Sequence, residues 1–333
     1  MASTPSSNRS AIIDNARIVC LFLILFCHIP VATGAFHNWA YSFHVPIFFL
    51  ISGIFYKKDS LRNTIIKSAK GLLLPYVIFN LLLIVIGIGI GFLYSRKISA
   101  SSLYSLLGIL GGSSDDAAPY TMPGGPSWFL IALFVARLLI RPMLTGKYYL
   151  RIIYGGILIG IYFLLNHYYS YTIWSVDSAI LGIFFMLIGY SCKNIILPLL
   201  HIDYKKRLLI IAGLALLIPL AIANGTANMY NGEYGKNFLV FYLCGVSGAL
   251  IIILLCSFAN FTNRLSRLFL SGSTFFICCH IMVMEYIVLL YRKFTHVSRD
   301  LMVVDKVIVA LASVGILICL MLLMKRFMPK LLK

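Results

Sequence analysis

Charged residues are what this sequence has least of. Asp, Glu, Lys and Arg make up 11% of its 333 residues while 61% are hydrophobic, and a chain so poor in solvated groups is not a soluble globular domain. Acidic residues are scarcer still, ten against 28 Lys and Arg, for a net charge of +18. No basic patch is interleaved with stacking aromatics in a hydrophilic segment, so no nucleic-acid partner is expected. The eight cysteines all fall within or at the ends of apolar runs. No disulfide framework is therefore expected, and these thiols read as small buried hydrophobes. Cys278 and Cys279 are adjacent but lack a second pair at ligand spacing, which leaves a metal site without support. No internal repeat relates the two halves, which weighs against the inverted-repeat transporters. The first apolar segment is too long, and lacks the small-residue cleavage site, to be a removed signal peptide.

What the sequence does have is long apolar runs. Ten are near the length needed to cross a bilayer: 16–35, 40–56, 71–93, 127–145, 149–166, 177–192, 207–224, 238–258, 267–290 and 303–325. The expectation is an all-α polytopic integral membrane protein of about ten transmembrane helices. It would form one membrane-embedded domain over residues 1–333, with a core of about 12–325 and no soluble catalytic domain. With the N-terminus inside, only Arg96, Lys97, Lys236, Arg292, Lys293, Arg299 and Lys306 fall outside, leaving 21 of the 28 basic residues inside. That asymmetry places both termini in the cytoplasm, and it assigns the +18 charge to a membrane protein facing anionic lipid. One long external connection, 94–126, is expected. Its stretch from Ser99 to Leu110 is apolar enough to lie on the membrane surface, and Asp115 and Asp116 follow in a Gly/Ser tract.

The few ionisable residues inside apolar runs carry the most information, because each costs roughly 3 kcal/mol or more to insert. Asp14, Arg17 and His28 stand on the first span. At about 100° per residue, the steps from Arg17 to His28 sum to roughly 20° off one face, and those from Asp14 to roughly 40°. Along the axis Arg17 and His28 are roughly 16 Å apart, so one stripe carries a charge near one surface and a titratable ring near the middle. His44, on the second span, and His280, on the ninth, come to about the same level, with Glu285 about one and a half turns further out. Each histidine alone reads as a satisfied core residue; three at one depth make a polar path. The connection between the second and third spans, Lys57-Lys58-Asp59-Ser60-Leu61-Arg62 followed by Lys67 and Lys70, is a positive-inside signal. It could equally be a surface for a phosphate-rich ligand.

These residues also carry a resemblance. Asp14 and Arg17 with His28 eleven positions after Arg17, then Phe43-His44-Val45-Pro46-Ile47-Phe48-Phe49-Leu50-Ile51-Ser52-Gly53, resemble the start of the membrane acyltransferase-3 family. Lys67-Ser68-Ala69-Lys70 with Pro75-Tyr76 is similar to its basic motif, with lysines where arginines are usual. Ser127-Trp128-Phe129-Leu130 is similar to its fourth-span entry, and Ser271-Gly272-Ser273-Thr274 with His280 to its ninth-span signature. The resemblance covers nearly the whole chain. It implies a multi-pass protein of the bacterial cytoplasmic (inner) membrane, most similar to single-domain O-acetyltransferases of surface polysaccharides. Such a protein transfers an acyl group, commonly acetyl, from cytosolic acyl-CoA to a carbohydrate hydroxyl of a surface or exported glycan at the outer face. The implied partners are acyl-CoA, a glycan or lipid-linked saccharide and the lipid bilayer. Acetyl-CoA is a co-substrate, and no tightly bound cofactor is implied.

On that reading His28, Arg17 and Asp14 form the catalytic group. His28 is either the base for the sugar hydroxyl or the carrier of the acyl group, Arg17 positions the donor, and Asp14 holds Arg17. Lys67, Lys70, Ser52 and Gly53 serve donor binding, Gly53 by letting the donor approach closely. His44, His280, Glu285 and Trp128 line the acceptor site or the path. Trp128 offers a face for sugar stacking, though a tryptophan at that depth can also be a belt residue. The alternative from another class is a transporter or lipid-linked-sugar flippase with an intramembrane His/Asp proton relay. The basic asymmetry makes a testable prediction. A membrane-impermeant thiol reagent applied outside intact cells should tag a cysteine introduced at Ser113 and miss one at Lys58; the reverse pattern would overturn the orientation.

Overall fold

In hydrocarbon every backbone N–H and C=O must be satisfied within the protein, and a helix does this within its own segment. The computed structural model describes residues 5–31, 33–95, 100–112, 120–169, 171–259, 263–296 and 301–329. Those residues form fifteen α-helices and no strand. In chain order the first eight are α1 (Pro5–His28), α2 (Ala35–Phe43), α3 (Pro46–Ile54), α4 (Leu61–Ser68), α5 (Leu74–Ser95), α6 (Ala100–Gly111), α7 (Trp128–Thr145) and α8 (Tyr148–Tyr168). Then follow α9 (Val176–Leu199), α10 (Tyr204–Ala215), α11 (Ile218–Asn224), α12 (Phe238–Cys256), α13 (Arg264–Ser271), α14 (Ser273–Thr295) and α15 (Val303–Phe327). Nine helical stretches among the described residues are long and apolar enough to cross a membrane. The protein is an all-α, multi-pass membrane protein.

The expected span 40–56 is not among the nine, because it is broken into two nine-residue helices. Pro46 has no N–H to continue the hydrogen-bond ladder of α2, so α2 stops at Phe43 and a new helix starts with Pro46 in its first turn. His44 closes α2 through its backbone N–H to the Ala40 carbonyl (2.9 Å). Such an elbow is tolerated at membrane depth where protein or a cavity surrounds it. Other boundaries also moved. α1 ends at His28 rather than near residue 35, with Pro30 just beyond it. The expected third span begins at Leu61, not near 71, because the Ser60 hydroxyl accepts the Asn63 N–H (3.2 Å) and starts α4 early. A π turn over Ala69–Leu73 then joins α4 to α5. Lys67 and Lys70 therefore stand on a continuous helical stretch. The expected surface segment Ser99–Leu110 is largely α6, held to α5 by the Tyr76 hydroxyl donating to the Ile109 carbonyl (2.7 Å). Asp115 and Asp116 lie outside the described residues.

α1 packs against α12, α13 and α14, and α7 and α9 pack together on the other side of α3. α8 and the α10–α11 pair expose most of their surface, apolar as a lipid-facing surface must be. The tightest contact joins α3 to α9. A Cβ on Gly53 would stand 2.0 Å from the Met186 carbonyl oxygen, and one on Gly189 would stand 2.1 Å from that of Leu50. Small residues let membrane helices approach this closely. Gly53 thus faces α9 and packs against it. Gly53→Ala should lower the thermal midpoint of the detergent-purified protein, since overpacking costs about 1–3 kcal/mol. Gly87→Ala, where open space surrounds the added methyl, should leave the midpoint unchanged or raise it. Equal effects of the two would contradict this account of the α3–α9 contact.

Candidate active site: two cavities and the wall between them

Three histidines from three elements use the same local device. The His28 Nδ1 lies 2.7 Å from the Ile24 carbonyl, that of His44 2.7 Å from Ala40, and that of His280 3.0 Å from Phe276, each four residues back on its own helix. A carbonyl only accepts, so each Nδ1 carries the hydrogen and each neutral ring keeps a bare lone pair at Nε2. The His28 and His280 rings meet edge to face at 5.3 Å, and Tyr41 lies 4.6 Å from His44 and 6.5 Å from His28. His280 is fully buried behind His28, and its Nε2 has no hydrogen-bond partner. Buried acceptors of this kind are rare enough to require a reason.

His28, Tyr41, His44, Trp128, Asn228 and Tyr230 surround a small cavity of about 40 Å³, room for a few waters. Trp128 reaches it from the first residue of α7. The turn before α7 is fixed by Asn80 of α5, whose amide donates to the Ser127 hydroxyl (2.9 Å) and accepts the Gly124 N–H (2.8 Å). Asn228 and Tyr230 come from the connection after α11. It is held by the Ser178 hydroxyl on the Met229 carbonyl (2.6 Å) and by Tyr162 on the Gly232 carbonyl. Trp128 and Tyr230 lie 5.7 Å apart and form an aromatic wall.

A second, larger cavity of about 320 Å³ is lined by Arg17, Ser52, Lys67, Ser68, Arg137 and Thr274 among others. Its cations differ in how they are held. Arg17 meets Asp14 at 3.5 Å, with both side chains partly exposed. Lys67 is paired with Asp59 at 2.5 Å. That contact, then Asn63 and the Ser60 N–H, hold the Asp59 carboxyl down to about 2. Because the shift is downward, the pair is intact at neutral pH and is lost only as pH falls through that value. Arg137 is held by two neutral hydroxyls, Nε to Ser68 Oγ (3.0 Å) and Nη1 to Ser52 Oγ (3.2 Å). No carboxylate among the described residues pairs with it. A guanidinium has five N–H donors, so this fixed cation has donors to spare for an anion.

The family model described as an acyltransferase domain matches residues 10–325. The chain belongs to the acyltransferase-3 family. No curated protein and no solved structure matches it. It is a membrane-embedded acyltransferase, which requires an acyl donor and an acyl acceptor.

Within this acyltransferase the residues singled out in the sequence fall into three groups. His28, His44 and Trp128 share the small cavity, with His280 behind His28. His28 ends its helix rather than standing midway along it. Arg17, Ser52 and Lys67 share the large cavity, and Asp14 reaches it through Arg17. Gly53, Lys70 and Glu285 belong to neither. Lys70 is exposed within the π turn, where the helical register changes after Ser68. Glu285 is exposed because five residues carry it roughly 140° around α14 from His280. Trp128 is buried and is not a belt residue.

Sequence reasoning missed two cations. Arg137 and Lys306 both fall inside apolar runs, and a charge in such a run is the signal that marks them. Lys306, counted as a loop residue, is fully buried on α15. It donates to the Val31 carbonyl (2.9 Å) and lies 4.7 Å from the Phe26 ring. Asn228 and Tyr230 gave no signal at all, since only the fold brings their connection over His28.

Proposed function

We propose that this acyltransferase moves an acetyl group from cytosolic acetyl-CoA, held in the large cavity, to a carbohydrate hydroxyl of a surface or exported glycan. The glycan enters the small cavity from the outer face of a bacterial inner membrane. The observation that carries the proposal is the His28 ring, which lines the small cavity beside its aromatic wall, with its Nδ1 hydrogen spent on Ile24 and its Nε2 lone pair unspent. The large cavity suits a donor rich in phosphate, because Arg137 and Arg17 supply charge-assisted hydrogen bonds. The aromatic wall of Trp128 and Tyr230 suits a sugar ring, and Asn228 suits its hydroxyls.

The chemistry follows from those positions. The His28 Nε2 takes the proton of the attacking hydroxyl, whose oxygen bonds to the thioester carbonyl carbon. The carbon–sulfur bond breaks, CoA leaves as a thiolate, and it recovers a proton as free thiol. While protonated, His28 carries an N–H at Nε2, with the His280 ring edge to face with it at 5.3 Å. A positioned base contributes about 10²–10⁴-fold. His28→Ala should therefore lower the rate of CoA release from acetyl-CoA by about that factor in membranes supplied with acceptor glycan. Insertion and accumulation should be unchanged. Full glycan acylation in a well-expressed His28→Ala strain, read by mass spectrometry of the surface glycan, would sink the assignment.

The cation arrangement predicts opposite effects from two substitutions. Arg137→Ala should raise the apparent KM for acetyl-CoA by about 10–100-fold, because hydrogen bonds to a charged group contribute about 1.5–3 kcal/mol. Asp59→Asn releases Lys67 and should lower that KM. Steady-state kinetics at fixed acceptor read both. An Arg137→Ala variant that changes only the acceptor dependence would remove the donor from the large cavity.

A further inference from the structure

We infer that Phe48, Phe129 and Ile277 set the length of acyl chain this enzyme transfers; the inference rests on the donor and acceptor sides proposed above. Among the described residues that line the two cavities, these three line both. They come from α3, α7 and α14 and form an apolar wall between the Arg137 side and the His28 side. An acyl group held as a thioester in the large cavity has to pass or enter this wall to meet the Nε2 of His28.

The wall discriminates by polarity and by size. Its three side chains offer no hydrogen bond. Phosphates and pantetheine amides therefore stay on the basic side, since burying them unpaired is costly, whereas a small apolar acyl group loses nothing there. Size is limited because the wall is braced. The Phe48 and Phe129 rings meet edge to face at 5.5 Å, and Phe49 backs Phe129 at 5.4 Å. Phe49 in turn cannot retreat, because it fills the place a side chain on Gly182 would take, 2.2 Å from the Cβ position. Ile277 is one turn from His280, and its carbonyl lies 3.1 Å from the His280 Nδ1, which anchors that turn. Beyond the wall, the His28 side holds only about 40 Å³. Packed protein responds to a single added methylene, and a hydrophobic site discriminates by about 10–200-fold for each.

The test is a chain-length series. CoA release from acetyl-, propionyl- and butyryl-CoA is compared for the wild type, Phe48→Ala and the milder Ile277→Val, with surface glycan from a strain lacking the protein as acceptor. In the wild type kcat/KM should fall about tenfold or more for each methylene. Phe48→Ala should bring butyryl to within about tenfold of acetyl, and Ile277→Val should relax propionyl alone. Ile277→Val removes a single methylene, so it keeps the test open should Phe48→Ala fail to accumulate. A wild type that transfers acetyl, with a chain-length ratio that neither variant moves, would overturn the inference and leave the proposed function standing. A wild type that releases no CoA from any of the three would overturn both.

Discussion

The contact on which the rest of the site depends is the one between α3 and α9. Met186 and Leu50 present carbonyl oxygens to Gly53 and Gly189 at distances that no side chain would permit, and this seats α3 in the middle of the bundle. One short helix then supplies three different environments. Ser52, near one end, reaches the basic cavity and holds Arg137. Phe48, one turn back, stands in the wall. The break that Pro46 forces just before it releases His44 into the small cavity. A span that stayed helical through residues 40–56 would have no such elbow, so the same proline that shortens the span also builds part of the site.

The second constraint is the handling of polar groups in an apolar setting. The three histidines satisfy Nδ1 on their own helices and leave Nε2 available, and for His280 that atom is buried with no partner. The cations divide in the same way. Lys67 and Arg17 each meet a carboxylate, which partly offsets their charge. Arg137 is fixed by hydroxyls that orient it without cancelling its charge. Buried Lys306 uses one carbonyl and one aromatic face. Charges left uncancelled in this way are costly for folding and suited to binding an anion.

Much of the fold was legible in the sequence, because the length of an apolar run reports a crossing directly and nine of the expected crossings form as helical stretches. The boundaries were less legible where a single residue decides them: Pro46 splits one span, Ser60 starts another early, and Pro30 follows the end of α1. The histidine grouping was legible from depth alone, but depth carries no azimuth. Glu285, at a reasonable height, therefore points away from His280. Gly53 was ambiguous in principle, since the absence of a side chain suits the approach of a ligand and of a helix equally well. The placement of Lys70 outside the lining of the large cavity was not legible, because a π turn changes register without any marked sequence signal. Arg137 was visible as a charge within a span, yet it reads as a topology signal until the hydroxyls around it are seen.

The central claim is that donor and acceptor occupy opposite sides of the wall formed by Phe48, Phe129 and Ile277, and that the acyl group crosses the bilayer as it is transferred. Purified protein in sealed proteoliposomes tests this directly. Radiolabelled acetyl-CoA is trapped inside, and surface glycan from a strain lacking the protein is added outside. The account predicts labelled glycan outside and free CoA inside. Label that reaches the glycan only when both substrates are placed on the same side of the membrane would contradict it.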